Sequence, residues 1–366
     1  MINPALIRSI WERRGIQGKA LGLLLLPVSQ GFRLGAQIRN LFFSRGWLRA
    51  RVLDKPVISI GNLTVGGTGK TPTCLWLAQE LNRRGFKVGI LSRGYRRKEA
   101  APIIIGAGPD GSSPSGRRAE VTAAGDEPAM MARLYGLTVG VGKNRYQTAL
   151  ELLRKQDIDV FIMDDGYQHR RLQRDIDLLL LGNDAGGRLL PAGPFREPRR
   201  ALRRADYFLL TGAQDQWRSR LPRDGGPRCF IGSLEAVGLI GFESGQWKEY
   251  PLSLLYRNKI LTVTGIADPS AFYRMIGEWE GDVVDALQFP DHHFYSSQDW
   301  QRISRLGRNM DLIITTEKDI LKLVEFPFAK GKLFALRVAM AVQDGERLVE
   351  SIVDQLRGKT QGEKPA

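Results

Sequence analysis

The sequence predicts an α/β protein built on a parallel sheet covered by helices, and two observations carry that prediction. From Val57 onward, short and nearly continuous apolar runs alternate with helical stretches, the rhythm of βαβ units. A glycine-rich turn, Gly61 to Gly69, stands between the first such run and a helical stretch opening at Lys70-Thr71-Pro72, where a phosphate-binding loop would sit. The elements follow in order. VISI (57–60) is the first strand, and Thr71 to Arg84 is a helix stopped by Gly85. KVGILS (87–92), TVGVG (138–142), DVFIMDD (159–165), IDLLLLG (176–182) and DYFLLTG (206–212) are further strands, unbroken enough in hydrophobicity to be buried on both faces. Residues 106–118, rich in Gly, Ser and Pro, read as an exposed loop. Residues 228–250 change character and read as an extended ribbon. The βα rhythm then resumes with ILTVTG (260–265), a helix near 268–278, VVDALQF (283–289), a helix near 297–307 and DLIITT (311–316). The expected division is an N-terminal segment 1–35, a nucleotide-binding domain 36–227, a β-ribbon linker 228–256, a smaller α/β domain 257–357 and a disordered tail 358–366.

Composition narrows the function classes. The chain has 366 residues and an apolar fraction of 43%, enough for a real core. Its two cysteines, Cys74 and Cys229, form no metal-ligand or disulfide pattern; both are expected as small buried hydrophobes in a reducing cytosol. The formal net charge is +15, unevenly spread. Residues 1–51 hold nine Arg or Lys against Glu12 alone, and Arg188 to Arg204 hold six arginines against Glu197. Such excess favours nucleic acid, an anionic membrane surface or a phosphorylated substrate. Nucleic acid is disfavoured, because the basic runs lack interleaved aromatics. The run ALGLLLL (20–26) ends at Pro27, short of the ~20 residues a membrane span needs. With basic flanks and with Phe42, Phe43 and Trp47 nearby, it reads as an amphipathic segment lying in the membrane interface.

The phosphate site is the stretch Gly61 to Pro72, GNLTVGGTGKTP. Backbone N–H groups of Thr64, Val65, Gly66, Gly67, Thr68 and Gly69, with the N-terminus of the following helix, suit a bound nucleotide phosphate. Lys70 would neutralise β- and γ-phosphate charge, and the Thr71 hydroxyl would ligate Mg²⁺. The pattern G-x-x-x-x-G-K-[ST] asks for glycine at 64, where Thr64 stands, so the loop is a variant P-loop in an NTPase-like domain. An acid at the end of a neighbouring strand completes such a site, and Asp164, after four apolar residues, is the expected Mg²⁺ partner. The adjacent Asp165 takes a supporting or substrate role. Gly125-Asp126-Glu127-Pro128 puts two acids at a helix start, where acids are also simple caps. Asp291-His292-His293 follows a strand of the second unit, and adjacent side chains rarely share one zinc. Thr316-Glu317-Lys318-Asp319 looks like a guanine-selecting element, but its lysine is out of place and it lies in the other unit, so it does not argue for GTP.

These motifs together resemble the tetraacyldisaccharide 4′-kinases of lipid A biosynthesis. The resemblance rests on VISIGNLTVGGTGKTP (57–72), LSRGY (91–95), GDEP (125–128), DDGYQHRRL (164–172), PAGPFREP (191–198), FPDHH (289–293) and TTEKD (315–319), in the family's order, and covers nearly the whole chain. It implies an ATP- and Mg²⁺-dependent kinase that phosphorylates the 4′-hydroxyl of a tetraacylated glucosamine disaccharide 1-phosphate, giving lipid IVA. It implies a place on the cytoplasmic face of the bacterial inner membrane, with no nucleic acid and no obligate protein partner. It also implies two α/β/α domains joined by a β-ribbon, with the active site in the cleft. By motif, Asp126 resembles the catalytic base and His292 its supporting histidine, while Glu127 joins Thr71 and Asp164 around the metal. Arg93, Tyr95, Arg145, Asp165, His169 and Arg196 fall where the family binds lipid or phosphate. The competing readings are a P-loop kinase of another small phosphorylated acceptor, and a nucleotide-switched membrane-binding module.

Overall fold

The computed structural model describes residues 4–13, 15–94, 101–106, 121–184, 187–222, 228–329 and 331–361. The loop expected at 106–118 lies outside them beyond Gly106, as does Tyr95. The fold is α/β with mostly parallel strands, as the apolar runs predict. It divides into two compact units, Met1–Val88 with Asp157–Ser233 and Ala341–Ala366, and Gly89–Gln156 with Leu234–Met340.

The first unit opens with three helices, α1 (Pro4–Glu12), α2 (Gly15–Leu24) and α3 (Leu26–Ser44), and Pro27 sits in the first turn of α3, where its missing N–H costs nothing. Their outer faces expose Leu23, Leu24, Val28, Leu34 and Leu41, and Trp47 beyond them is also exposed. Among the described residues no helix is long and apolar enough to cross a membrane. The sheet of this unit runs β8-β7-β6-β1-β5, all parallel, from β1 (Val57–Asn62), β5 (Val160–Asp164), β6 (Ile176–Leu181), β7 (Tyr207–Leu210) and the first residues of β8 (Arg228–Glu243). Strands β1, β5, β6 and β7 are buried at every position, which is why alternation is absent from their sequences. Helix α4 (Lys70–Arg83) follows β1 after the loop 63–69, and Gly85 in the left-handed region ends it. Tyr167, Leu179, Phe195, Phe208 and Trp217 build a core beneath this sheet.

In the second unit β2 (Val88–Ser92) pairs parallel with β4 (Thr138–Val141), and β3 (Ile103–Ile105) pairs antiparallel with β4. Helices α5 (Asp126–Tyr135) and α6 (Arg145–Lys155) flank β4 in sequence. A parallel set runs β11-β10-β12-β13, from β10 (Lys259–Thr264), β11 (Asp282–Gln288), β12 (Leu312–Thr316) and β13 (Leu333–Gln343). The ribbon expected at 228–250 is β8 folded back antiparallel on β9 (Gln246–Tyr250). Helices α8 (Ser270–Gly277), α9 (Ser297–Leu306) and α10 (Glu317–Leu323) complete the unit. Short α7 (Gln214–Arg218) and the last helix, α11 (Gly345–Gln361), belong to the first unit; α11 runs past Gly358, where the polar tail was expected to begin. Cys74 is buried as expected, but Cys229 is exposed, because alternation at the start of β8 buries Phe230 and turns Cys229 outward.

Candidate active site

The phosphate loop is held open by its neighbours. Gly66 and Gly69 have φ of 131° and 84°, values that side-chain-bearing residues rarely adopt. Gly61 is needed for another reason: a Cβ there would lie 2.7 Å from the Cβ of Tyr167. Thr64, the residue out of pattern, pairs with Phe195 in an isolated antiparallel bridge and is buried, so this position is extended and has no need of glycine. The Val65 N–H donates to the Pro194 carbonyl at 2.8 Å, and the Arg196 N–H to the Leu63 carbonyl at 2.7 Å. The segment 187–198 therefore braces one side of the loop. Gly67 has open space beside it, and buried Thr68 accepts from Asn62 Nδ2 at 3.0 Å.

Lys70 Nζ reaches Asn62 Oδ1 at 3.2 Å and the Gly66 carbonyl at 3.4 Å, which folds its ammonium over the loop. It also lies 3.7 Å from Asp165, whose carboxylate receives Arg196 at 3.0 Å. Asp165 sits at φ 49°, in the left-handed turn that ends β5. Asn62 was not singled out by its sequence context; its amide reaches both Lys70 and Thr68, and only the β1–loop geometry reveals it. Asp164, in register with Ile60 of β1, is buried at the end of β5 with the Cys74 thiol 3.5 Å away. Thr71 is buried in the first turn of α4. One hydroxyl and one carboxylate beside a phosphate loop fit Mg²⁺, which takes one or two carboxylates and completes its shell from phosphate and water. Among the described residues no cluster of three or more His, Cys, Asp or Glu could hold a metal unaided.

The second unit holds the other half of the predicted set. Gly125 caps α5, so Asp126 and Glu127 occupy its first turn, where the helix dipole favours anions. His292 Nδ1 lies 3.3 Å from Asp126 Oδ2. His292 has φ 62°, uncommon for a residue with a side chain, and its N–H donates to the Gly265 carbonyl. His293 instead bonds Asp299 in the capping box of α9, so it is His292 that stands at Asp126. Burial alone would raise the Asp126 carboxyl. The hydrogen bond from His292 and the Lys322 charge outweigh it and leave Asp126 below the ordinary carboxylate range. The same hydrogen bond raises His292 against the effect of burial.

Helix α10 supplies cations that sequence reasoning passed over. Lys318 and Lys322, one turn apart, meet Glu127 and Asp126 respectively. The stretch set aside as a false guanine signature, Thr316 to Asp319, is thus the cap and first turn of the helix that charges this site. Glu127, expected at the metal, is paired with Lys318 and lies in the second unit, whereas Thr71 and Asp164 lie in the first. Of the remaining predicted residues, Arg145 is buried and donates to the Gly142 carbonyl at 2.9 Å. Arg93 is exposed, and the His169 N–H donates to the Gly166 carbonyl.

Comparison with known proteins bears on this arrangement. Residues 21–357 match the family model described as LpxK, tetraacyldisaccharide-1-P 4′-kinase. The tetraacyldisaccharide 4′-kinase of Syntrophus aciditrophicus (strain SB) is 36% identical over 96% of this chain and 98% of its own length. That of Geobacter sulfurreducens is 38% identical over 85% of this chain and 87% of its own length. A crystal structure of LpxK from Aquifex aeolicus in complex with ATP superposes with a TM-score of 0.76 at 33% identity, covering 92% of this chain and 99% of that one. A loop that can cradle phosphate, a carboxylate–histidine pair and agreement over nearly the full length lead to one conclusion: the chain belongs to the tetraacyldisaccharide 4′-kinase family.

Proposed function

We propose that this chain transfers the γ-phosphoryl group of ATP to the 4′-hydroxyl of a tetraacylated glucosamine disaccharide 1-phosphate, forming lipid IVA. The observation that carries the reading is the Asp126–His292 contact at 3.3 Å in a chain that also carries a phosphate loop with Lys70. A sugar hydroxyl is too weak an acid to ionise unaided, so a carboxylate must accept its proton as the new P–O bond forms. Asp126, held ionised and oriented by His292, takes that role. Lys70 neutralises charge on the phosphates, and the backbone from Thr64 to Gly69 orients them.

Thr71 and Asp164 are the residues that would hold Mg²⁺, which when bound neutralises charge on the β- and γ-phosphates. Glu127, paired with Lys318 within the second unit, is assigned to the metal as well. Arg93, Tyr95, Asp165, His169 and Arg196 are assigned to the lipid headgroup and its phosphate, Asp165 through its ion pairs with Lys70 and Arg196. Arg145, tied to Gly142, is assigned to shaping that surface.

The acceptor's acyl chains stay in the bilayer, so the enzyme must work at headgroup level. The exposed leucines of α2 and α3 and the basic excess of residues 1–51 support an interfacial seat on the cytoplasmic face of the inner membrane, where ATP is available. The test is transfer of label from γ-labelled ATP to the tetraacyl disaccharide 1-phosphate in detergent micelles. Wild type should yield a bis-phosphorylated lipid and Asp126→Ala should lower kcat by about 10²–10⁴-fold. ATP turnover without labelled lipid would refute the acceptor, and a fully active Asp126→Ala would refute the base.

A further inference from the structure

Lys322 is buried inside an otherwise apolar stretch of α10, Ile320 to Leu323, where a lysine is costly to keep. Its ammonium lies 3.0 Å from Asp126 Oδ2 and 2.9 Å from Asp319 Oδ1, and the side chains of all three residues are almost wholly buried. Asp319 is fixed in turn. Its Oδ2 accepts from the Gly265 N–H at 2.8 Å and from Thr316 Oγ1 at 2.8 Å. The carbonyl of the same Gly265 accepts the His292 N–H at 3.3 Å, and His292 returns to Asp126 Oδ2. The contacts close into a ring: Asp126, Lys322, Asp319, Gly265, His292 and back to Asp126. The ring has little slack, since a Cβ on Gly265 would lie 2.9 Å from Asp319 Oδ1.

From this ring we infer that Lys322 is a positioning residue for phosphoryl transfer, clamping Asp126 so that Oδ1 is the oxygen offered to the acceptor hydroxyl. Both donors, the His292 ring and the Lys322 ammonium, engage Oδ2. Two fixed donors on one oxygen set the rotation of the carboxylate about its Cβ–Cγ bond and leave the other oxygen to take the proton. A third group, Asp319, holds the lysine so that it does not collapse onto the base. The inference rests on Asp126 being the base, and assigns Lys322 to act through the Asp126 carboxylate.

Steady-state kinetics on the full-length enzyme in mixed micelles test the assignment, with Asp126→Ala as the reference. Lys322→Met should lower kcat about 100-fold, the usual cost of a base held out of line, while KM for ATP and for lipid stays at the wild-type value. Removing the cation strands buried Asp319, so the charge-balanced variant Lys322→Met/Asp319→Asn is measured beside it, together with its melting temperature. Low kcat in that variant, with wild-type KM values and a wild-type melting temperature, supports the clamp. Recovery of wild-type kcat overturns it, because Lys322 would then only neutralise Asp319. A fall in melting temperature that accounts for the lost activity overturns it as well. An active Asp126→Ala sinks the base reading itself, whereas an inactive Asp126→Ala beside fully active Lys322 variants sinks the clamp alone.

Discussion

Glu197→Gln is the substitution that most sharply tests how the N-terminal helices are attached. Glu197 is fully buried and is the only acid among the six arginines of residues 188–204. Its carboxylate receives Arg39 at 3.0 Å and Asn40 at 2.9 Å, both from α3, and Arg204 at 2.8 Å. Arg204, itself largely buried, also stacks its guanidinium over Tyr167, 4.5 Å from the ring centroid. Glutamine keeps the shape and one acceptor but removes the only negative charge of the cluster. Breaking a buried pair by removing one partner costs about 3–5 kcal/mol, because the surviving charge is left uncompensated. Arg39 is 41% exposed, so water screens its share and it adds little. The low end of the range, about 3 kcal/mol, is therefore expected. For a domain of 150–250 residues that moves Tm down by about 6–12 °C, read by differential scanning calorimetry. Adding Arg204→Met should recover part of the loss, since the stranded cation goes with it. A Glu197→Gln protein melting within about 2 °C of wild type, or a double variant no more stable than the single, would refute this account of the joint.

Other consequences can be checked independently. Leu23→Glu with Leu24→Glu, at positions 64% and 74% exposed, should leave the fold intact yet shift the protein to the soluble fraction and raise KM for lipid more than for ATP; unchanged partitioning would dispose of the interfacial seat. Truncating residues 1–30 is a cruder version, because it also deletes the hydrogen bonds of Trp11 and Ser29 to Pro191, Leu189 and Ala192. Gly61→Ala should destabilise by about 1–3 kcal/mol and weaken ATP binding, as the new methyl drives Tyr167 and the loop apart; isothermal titration showing wild-type ATP affinity would count against it. The His292 pKa is raised above its ordinary ~6.5, so its paired, charged form stabilises the fold fully below that value and loses its contribution as pH rises through the raised pKa. The Tm gap between wild type and His292→Gln should accordingly narrow from pH 6 to pH 9, and a gap that widens over that range would reverse the assignment.

Much of the fold was legible because buried parallel strands announce themselves as unbroken apolar runs, and β1, β5, β6 and β7 fall within a residue or two of where those runs lie. Strand β13 was missed although it is as apolar; Arg337 interrupts it, and only the fold shows that this arginine is paired with Glu249 and Glu317. The phosphate loop was legible because its parts are contiguous. Thr64 looked like a departure only because the pattern assumes a turn where Phe195 in fact imposes an extended bridge. The other half of the site was not readable from local pattern. Asp126 and His292 are 166 residues apart and Lys322 is 196 beyond Asp126, so only the resemblance, and not spacing, could pair the first two. The i, i+3 spacing of Asp319 and Lys322 shows one partner of that lysine, but nothing local to it signals Asp126. Charge counting misled in one respect: Arg204 and Arg39 were counted toward an anionic partner, whereas their guanidinium groups are turned on buried Glu197.

The segment 187–198 has a consequence for regulation. On one side it receives Trp11 and Ser29 of the first and third helices, through Pro191, Leu189 and Ala192. On the other it braces the phosphate loop, through Pro194 to Val65 and Arg196 to Leu63. The N-terminal helices, proposed to seat at an interface, and the phosphate loop therefore bear on one shared strut of about ten residues. Thermodynamic reciprocity then applies: whatever factor lipid contact contributes to nucleotide affinity, nucleotide must contribute to lipid contact. With the helices seated at a bilayer as proposed, one common factor links ATP affinity and lipid affinity through this strut, read by titrating nucleotide in the presence and absence of anionic vesicles.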